Sequence, residues 1–437
     1  CPTAAMEPKI KNRDVILSHG DVESRQVVLD ITERTLQRLD ARARIKSIAH
    51  MEGSELVIGK KRWDLSRKRH VYLLGAGKAC NHMAMALDEI LGDWLTRGIA
   101  IVKIKEDTDV FHHTDVFVGG HPLPNEEGLR ACHEILKLVD QATPDDLFIV
   151  VISGGSSALM SCPIEGLTLQ DEIDVTDVML KSGANIFEIN AIRRHISQMN
   201  GGMLAKRIAA RGAELIGFGI SDAVASPATG DISEPYRAYR GTPMGPDQTT
   251  LEQARQVIRD YDVADRLPKK VVDYLMNVGP EGETPKAFPQ NTYYLINTLP
   301  DSCRYAKEAA QEMGIPAYIL SSFLDGESKD AGTFFAAIAR EVQTYGNPFP
   351  APCVILSSGE TTTKILDNST ITGHGGPGQE LTLSFALLGA KTKGACMLSI
   401  DSDIKVRTTF MRKISELGGG RTMDDTYTIK YQSVLGY

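Results

Sequence analysis

An apolar run at residues 147–152 passes directly into the turn Ser153-Gly154-Gly155-Ser156-Ser157. A short apolar run without polar interruption is typical of a strand buried on both faces of a parallel sheet. Glycines let the backbone approach a ligand closely, and the first N–H groups of a following helix lack partners. The sequence therefore predicts that this turn binds an anion, a phosphate or a carboxylate, at the start of a helix.

A second junction of the same kind lies upstream, where residues 71–74 precede Gly75-Ala76-Gly77-Lys78. The dinucleotide-binding fingerprint requires a third glycine where Cys80 stands, and the P-loop requires a longer spacing between its glycines, so neither pattern is satisfied. We expect Lys78 to lie in the first turn of a helix and to be functional, because a buried lysine needs an anionic partner.

Short apolar runs alternate with helical stretches through the first half of the chain. The strands are predicted at 71–74, 99–104, 116–118, 147–152 and 215–220, and the helices between them at 78–91, 126–142, 156–160 and 200–211. This alternation predicts an α/β fold with a Rossmann-like parallel sheet covered by helices on both faces. The stretch 226–250, rich in proline, glycine and tyrosine, interrupts the pattern and is expected to be a functional loop.

The domain organisation follows from length and from a second irregular stretch. The chain has 437 residues, enough for two or three domains of about 150 residues each. Residues 278–289 combine glycines and prolines as a linker does, and strand and helix patterns resume after them. We therefore predict a large N-terminal domain at 7–277 and a smaller C-terminal α/β domain at 290–437.

The composition excludes several classes of partner. A net charge of −8 argues against a general nucleic-acid binder, which holds the phosphate backbone on a basic face. No apolar stretch approaches the roughly 20 residues that span a bilayer. The seven cysteines include no C-x-x-C pair, a usage typical of a reduced, cytoplasmic protein. We expect no nucleic acid and no membrane as partner, and a homo-oligomer is compatible with the sequence. His112, His113 and His121 lack metal-binding spacing and are interpreted as loop residues.

Polar residues recur at helical spacing downstream of the second glycine turn. Asn190, Arg193 and Ser197 share one predicted helical face, and His195 lies among them. An asparagine, an arginine and a serine on one face can clamp a carboxylate or a phosphate. A solvated helix surface has the same pattern, so both interpretations stay open at this point.

Carboxylates follow two predicted strands directly: Asp222 comes after 215–220, and Glu360 comes after 353–357. A carboxylate at the end of a strand can bind a metal ion or act as a base, and the position also suits a helix cap. A third glycine-dense turn, which includes Gly375, Gly376 and Gln379, precedes a predicted helix and is suited to covering a phosphate chain.

Taken in order, these segments resemble the class II glycerate kinases, also called the MOFRL family. The similarity runs from about residue 20 to about residue 403. It rests on Gly75-Ala-Gly-Lys78-Ala, Gly120-His121-Pro122-Leu-Pro124, Ser153-Gly-Gly-Ser-Ser157-Ala-Leu, Asn190-Ala-x-Arg193-x-His195-x-Ser197, Ile220-Ser221-Asp222, Pro246-Asp247-x-Thr249-Thr250 and Ser358-Gly-Glu-Thr-Thr362. So many motifs in one order are far more specific than a single glycine turn.

The resemblance implies an ATP-dependent kinase that phosphorylates D-glycerate to 2-phosphoglycerate with Mg²⁺. It implies a Rossmann-like N-terminal domain, a smaller MOFRL-type C-terminal domain, and an active site in the cleft between them. Lys78, Arg193 and Asp222 would be catalytic, with Asp222 either the base or the Mg²⁺ ligand. The substrate or its phosphate would be held by Gly75, Gly77, Ser153, Gly154, Gly155, Ser156, Ser157, Asn190 and His195, and the nucleotide by Glu360, Gly375, Gly376 and Gln379.

Three departures from the family pattern keep other functions open. Pro377 stands where the family usually has an arginine thought to aid catalysis, and the loop at 226–246 is longer than usual. The chain also passes from Asp403 to Ile404 without the family's Asp/Gly-rich segment, as if a stretch were missing there. The alternatives are a hydroxypyruvate reductase using NAD(P)H and a non-catalytic protein that binds organic acids or sugar phosphates. The reductase would need an acidic residue about 20 residues after the glycine turn, whereas Glu106 and Asp107 lie farther on.

Overall fold

The structure, a computed structural model, describes residues 6–223, 226–364, 376–389 and 394–400. The strands in this part of the chain are β1 Ala49–Glu52, β2 Glu55–Ile58, β3 Lys61–Asp64, β4 His70–Ala76, β5 Arg97–Val102, β6 Thr114–Val118, β7 Asp146–Ile152, β8 Glu214–Ser221, β9 Thr292–Thr298, β10 Ala317–Leu324 and β11 Val354–Gly359. The α-helices are α1 Arg13–Ile16, α2 Val22–Arg38, α3 Ala41–Ile48, α4 Cys80–Leu91, α5 Glu126–Asp140, α6 Ser156–Leu159, α7 Leu169–Lys181, α8 Ile186–Arg194, α9 Met203–Ala210, α10 Leu251–Asp260, α11 Lys269–Asn277, α12 Leu299–Glu312, α13 Ser328–Tyr345 and α14 Pro377–Gly389.

Six parallel strands form the central sheet, in the order β6-β5-β4-β7-β8-β9. Counted from β4, this is the third-second-first-fourth-fifth-sixth order of the Rossmann fold. The predicted α/β class and Rossmann-like sheet are therefore confirmed. The apolar runs read from the sequence form its buried middle, since every residue of β7 is buried.

Two apolar layers cover the two faces of this sheet. Leu73, Ile149 and Phe218 belong to one layer, which also contains residues of α3 and α4. The neighbouring residues Leu74 and Val150 belong to the other layer, together with residues of α5 and α9. Successive side chains of a strand point to opposite faces, so an unbroken apolar strand supplies both layers at once.

The strand order reverses between β4 and β7, and the two glycine turns meet at this point. The backbone N–H of Lys78 donates to the Gly154 carbonyl oxygen at 2.9 Å, and that of Ser153 donates to the Ala76 carbonyl oxygen at 3.2 Å. The Ala79 N–H donates to Ser153 Oγ at 2.9 Å. Ligands of open α/β sheets bind at such a reversal, at the carboxyl ends of the strands.

Strand β9 and the segment before it differ from the sequence prediction. Residues 292–298 were expected at the start of the C-terminal domain, but they pair with β8 as the edge strand of the large sheet. The predicted linker also packs against the N-terminal part: Thr284 is buried, and its hydroxyl donates to Asp247 at 2.8 Å. The apolar pattern of a strand is the same whichever sheet it joins, so the sequence alone does not assign β9 to one of the two domains. The division into two domains otherwise stays a prediction.

A second, two-stranded parallel sheet follows, formed by β10 and β11. Helix α12 leads into it from β9, and the N-terminal helix α2 packs along α12. Arg38 on α2 pairs with Glu308 on α12 at 3.3 Å. The region at residues 395–400 lies near this sheet, whereas the junction of Asp403 and Ile404 lies outside the described residues.

Candidate active site

Lys78 occupies the turn between β4 and α4. It precedes α4, which begins at Cys80, so the prediction of a first-turn position is wrong by two residues. Gly75 and Gly77 serve close packing here, because a Cβ on Gly75 would lie 2.6 Å from Cys80 Sγ and one on Gly77 would lie 2.1 Å from Ser153 Oγ. These glycines bring the two turns together, and Lys78 emerges beside the Ser153–Ser157 turn.

Three chemically different side chains surround Gly154 and Gly155. A Cβ placed on Gly154 would lie 2.5 Å from Asp222 Oδ2. A Cβ placed on Gly155 would lie 3.0 Å from both Lys78 Cε and His121 Cδ2. An ammonium group, a carboxylate and an imidazole thus border the same pair of glycines, each at the carboxyl end of a different strand of the large sheet.

The serines of this turn mostly maintain its shape. Ser153 and Ser156 are buried, at 3% and 2% exposure, and Ser153 Oγ accepts the Ala79 N–H. The Ser157 carbonyl oxygen accepts bonds from Asn200 Nδ2 at 3.1 Å and from Ser161 Oγ at 3.0 Å. Helix α6 has only four residues. Its dipole is therefore smaller than that of the longer helix which the sequence led us to expect after this turn.

Lys78 and Asp222 also line a cavity of about 800 Å³ that reaches the second sheet. Glu360, which follows β11, lines it, as do the first residues of α14, Pro377 and Gly378. Ser357, whose hydroxyl has no hydrogen-bond partner among the described residues, lines it as well. Among its described lining residues, Lys78 alone has a basic side chain. The predicted nucleotide residues Gly376 and Gln379 are the sequence neighbours of the lining residues Pro377 and Gly378. Gly375 lies outside the described residues.

Asn190, Arg193 and His195 do not line this cavity. His195 is 3% exposed, and both ring nitrogens lie within hydrogen-bond distance of an oxygen: Nδ1 is 2.6 Å from the Ala191 carbonyl oxygen, and Nε2 is 3.0 Å from Glu283 Oε1. These contacts suit a residue that anchors the segment at Glu283. The role of His195 as a substrate ligand stays a prediction.

Two carboxyl groups near α8 have shifted pKa values. Burial raises the pKa of Glu172 to about 7, although Arg193 and Ser161 act in the opposite direction. Burial lowers the pKa of Arg193, and Glu172 opposes this. For Glu283, burial alone would raise the pKa, but hydrogen bonds from His195, the Leu251 N–H and Lys286 together lower it to about 2.

His121 is the functional candidate that the sequence interpretation missed. It was assigned to a loop for lack of metal-binding spacing, yet the structure brings it beside Gly155 and Lys78. The available signal was its position, because Gly119-Gly120-His121 follows β6 directly. Residues at the carboxyl ends of parallel strands share one edge of the sheet, whatever their spacing in sequence.

The donor set suits a metal ion that arrives with a nucleotide. No group of three His, Cys, Asp or Glu side chains within the described ranges is placed to hold an ion by itself. Mg²⁺ typically uses one or two carboxylates and completes its shell with phosphate oxygens and water. Asp222, which lines the cavity next to Lys78, fits that requirement.

Fold and site together define an α/β protein with a Rossmann-like sheet, at whose switch point two glycine turns meet beside Lys78 and Asp222. A family model described as a domain of unknown function, DUF4147, matches residues 27–276. The glycerate 2-kinase of Pyrococcus horikoshii is 34% identical over 367 residues, which cover 83% of this chain and 79% of that protein. A protein of Agrobacterium vitis, named provisionally as a hydroxypyruvate reductase, is 34% identical over 76% of this chain and 82% of its own length.

The crystal structure of the Thermotoga maritima glycerate kinase matches with a TM-score of 0.66 and 28% identity, over 83% of this chain and 79% of that chain. The chain therefore belongs to the DUF4147, or class II glycerate kinase, family. This membership confirms the predicted family and the predicted enzyme class, a kinase. No helix in the described part of the chain is long and apolar enough to cross a membrane.

Proposed function

We propose that this chain phosphorylates D-glycerate at its 2-hydroxyl group, using ATP with Mg²⁺, at the centre formed by Lys78, Asp222 and the Gly154–Gly155 turn. The observation that carries the proposal is the meeting of these groups at the switch point of the large sheet. The acceptor occupies the space beside the two glycines, and the nucleotide occupies the cavity that extends to Glu360. Lys78 and Asp222 border both spaces.

Lys78 supplies the positive charge for the transferring phosphoryl group. Phosphoryl transfer depends mainly on positioning and on electrostatic stabilisation of the oxygens around phosphorus. Lys78 is the basic side chain among the described residues of the cavity lining, and Pro377 stands where the family's arginine is expected. We therefore assign to Lys78 a larger share of the charge stabilisation than a relative with both cations would need.

Asp222 would hold Mg²⁺, and the N–H groups of the Gly154–Gly155 turn would bind the acceptor carboxylate. When bound, Mg²⁺ would neutralise charge on the nucleotide phosphates. The absence of side chains at the two glycines leaves space between Asp222, Lys78 and the turn. The nucleotide would extend toward Glu360, Gly376 and Gln379. The roles of Asn190 and Arg193 in holding the acceptor stay predictions.

Reduction of hydroxypyruvate is the second candidate, because a relative in the same family is named for it. The site favours the kinase. A dinucleotide-binding turn uses its third glycine for close packing between helix and strand, and here the buried Cys80 occupies that position. The reductase would also need a nicotinamide pocket, which no observation in the described residues supports.

One assay with matched variants tests the proposal. Purified protein is supplied with D-glycerate and MgATP and, separately, with hydroxypyruvate and NAD(P)H. We expect ADP formation that depends on D-glycerate, and a product that enolase converts, which identifies 2-phosphoglycerate. Lys78→Ala should lower kcat/KM by about 10³-fold or more. Lys60→Ala, at a side chain 91% exposed, should leave the rate unchanged.

Two results would overturn the proposal. One is NAD(P)H oxidation without ADP formation, which would establish the reductase. The other is binding of D-glycerate without turnover of either substrate pair, which would indicate a non-catalytic binding protein. Formation of 3-phosphoglycerate would keep the kinase but correct the position of transfer.

A further inference from the structure

The turn that carries His121 packs against α6, the short helix at the end of the Ser153–Ser157 turn. A Cβ on Gly119 would lie 2.9 Å from Leu159 Cδ2, and a Cβ on Gly128 would lie 2.7 Å from the Leu159 carbonyl oxygen. Leu159 is the last residue of α6 and is fully buried. The two glycines therefore bring the backbone before and after His121 into contact with the site's central turn.

Local hydrogen bonds join the two ends of this turn. The Asn125 side chain accepts the Gly128 N–H at 2.8 Å, and its amide donates to the Val118 carbonyl oxygen at 3.2 Å. Glu127 Oε1 accepts the Val118 N–H at 3.0 Å. A Cβ on Gly120 would lie only 2.2 Å from the Leu123 carbonyl oxygen, so the turn closes tightly. A catalytic side chain must be held in its productive orientation by the residues around it, and these contacts do so for the turn that carries His121.

The imidazole of His121 is directed at the acceptor side of the centre. Its Cδ2 lies 3.0 Å from the point where a Gly155 Cβ would be, and Lys78 Cε lies at the same distance from that point. Nε2 is bonded to Cδ2, so this nitrogen is on the ring edge next to the glycine turn. His121 does not line the larger cavity that we assign to the nucleotide.

We propose that His121 is the general base that accepts the proton of the acceptor hydroxyl group, with Asp222 reserved for the metal. This inference rests on the proposed kinase function. The hydroxyl oxygen forms a bond to the γ-phosphorus and releases its proton to His121 Nε2. The bond from that phosphorus to the bridging oxygen breaks, and its electron pair leaves on ADP.

The other two side chains at the glycine pair are less suited to this step. A protonated lysine has no lone pair to accept a proton, and Asp222 would be engaged as a metal ligand with the nucleotide bound. A neutral imidazole takes up the proton without adding negative charge beside the triphosphate, which a second carboxylate would do.

The test is His121→Gln, with His112→Gln as the matched control, because His112 is exposed and lies outside the site. We expect His121→Gln to lower kcat by about 100-fold with little change in the KM for D-glycerate. The acidic limb of the pH–rate profile should disappear, and His112→Gln should keep both the rate and the profile. If thermal unfolding shows that His121→Gln is misfolded, His121→Asn is measured in its place in the same way.

The outcomes separate this inference from the function on which it rests. Absence of D-glycerate-dependent ADP formation in the unmodified protein refutes the kinase and the base together. With the unmodified protein active, an unchanged kcat in His121→Gln refutes the base alone. So does a higher KM at unchanged kcat, which identifies a binding residue, or a lower kcat with the acidic limb preserved, which identifies a structural one.

Discussion

Alanine substitutions at Gly155 and Gly183 allow the effect of backbone strain to be distinguished from damage to the candidate active site. Both have φ = +81°, a conformation that disfavours any residue with a Cβ. Nothing lies within 4 Å of the Cβ position at Gly183, whereas Lys78 and His121 lie 3.0 Å from that of Gly155. Alanine at either position therefore carries the same backbone penalty, but only Gly155→Ala meets the two side chains.

The magnitudes follow from this geometry. The left-handed conformation should cost each alanine variant about 1 kcal/mol of unfolding free energy. At Gly155 the contacts force Lys78 and His121 to move by a few tenths of an ångström. Displacements approaching 1 Å in an active site reduce rates by up to about 100-fold, so we expect Gly155→Ala to lose roughly tenfold or more in kcat. Gly183→Ala should keep full activity.

The measurement pairs urea unfolding with the D-glycerate-dependent ADP assay on both variants. Similar losses of unfolding free energy, with loss of activity confined to Gly155→Ala, would support the geometry described for the site. Full activity in Gly155→Ala would show that Lys78 and His121 are not required where the structure places them. Equal loss of activity in Gly183→Ala would show that the effect arises from destabilisation and not from the site.

Three further predictions concern stability. Because the pKa of Glu172 is raised from 4.5 to about 7, the folded state retains a proton that the unfolded chain releases. Stability should therefore fall by up to about 3 kcal/mol as the pH rises through that interval, and urea unfolding of Glu172→Gln should lack this dependence. The pKa of Glu283 is lowered from 4.5 to about 2, so its stabilisation is present above pH 4.5 and lost as the pH falls toward 2; His195→Gln should weaken that acid sensitivity. Tyr239 stacks on Tyr293 at 5.1 Å, and Tyr239→Ala should cost about 2 kcal/mol in thermal unfolding, whereas Tyr239→Phe should cost less.

The fold was predictable because its strongest signals are local. The apolar runs that form β4, β7 and β8 are short, and glycine turns follow β4 and β7, so the apolar pattern and these turns were sufficient to locate the strands. The short antiparallel strands β1 to β3 were missed, since charged residues interrupt their pattern at Lys61 and Arg62. The pairing of β9 with β8 was not predicted, because it depends on tertiary packing that a single strand does not encode.

The candidate site was predictable only in part, for a related reason. Strand ends gave Lys78, the Gly154–Gly155 turn and Asp222, since parallel strands bring their carboxyl ends to one edge. The family resemblance gave His195, which the structure places against Glu283 and away from the cavity lined by Lys78 and Asp222. His121 was passed over because it was judged as a metal ligand, by spacing, when its position after β6 was the relevant signal.

The junction of β9 and α12 has a mechanical consequence. Thr298 is both the last residue of the strand and the N-cap of the helix, so no flexible residue separates the large sheet from the C-terminal part. The fully buried Asp301 accepts the N–H of Thr298 at 2.9 Å and the N–H of Thr229 at 3.1 Å. Strand, helix and the loop beyond Asp222 are thus fastened to one carboxylate. A displacement of α12 relative to the large sheet would therefore have to move Thr229 with it or break the hydrogen bonds to Asp301.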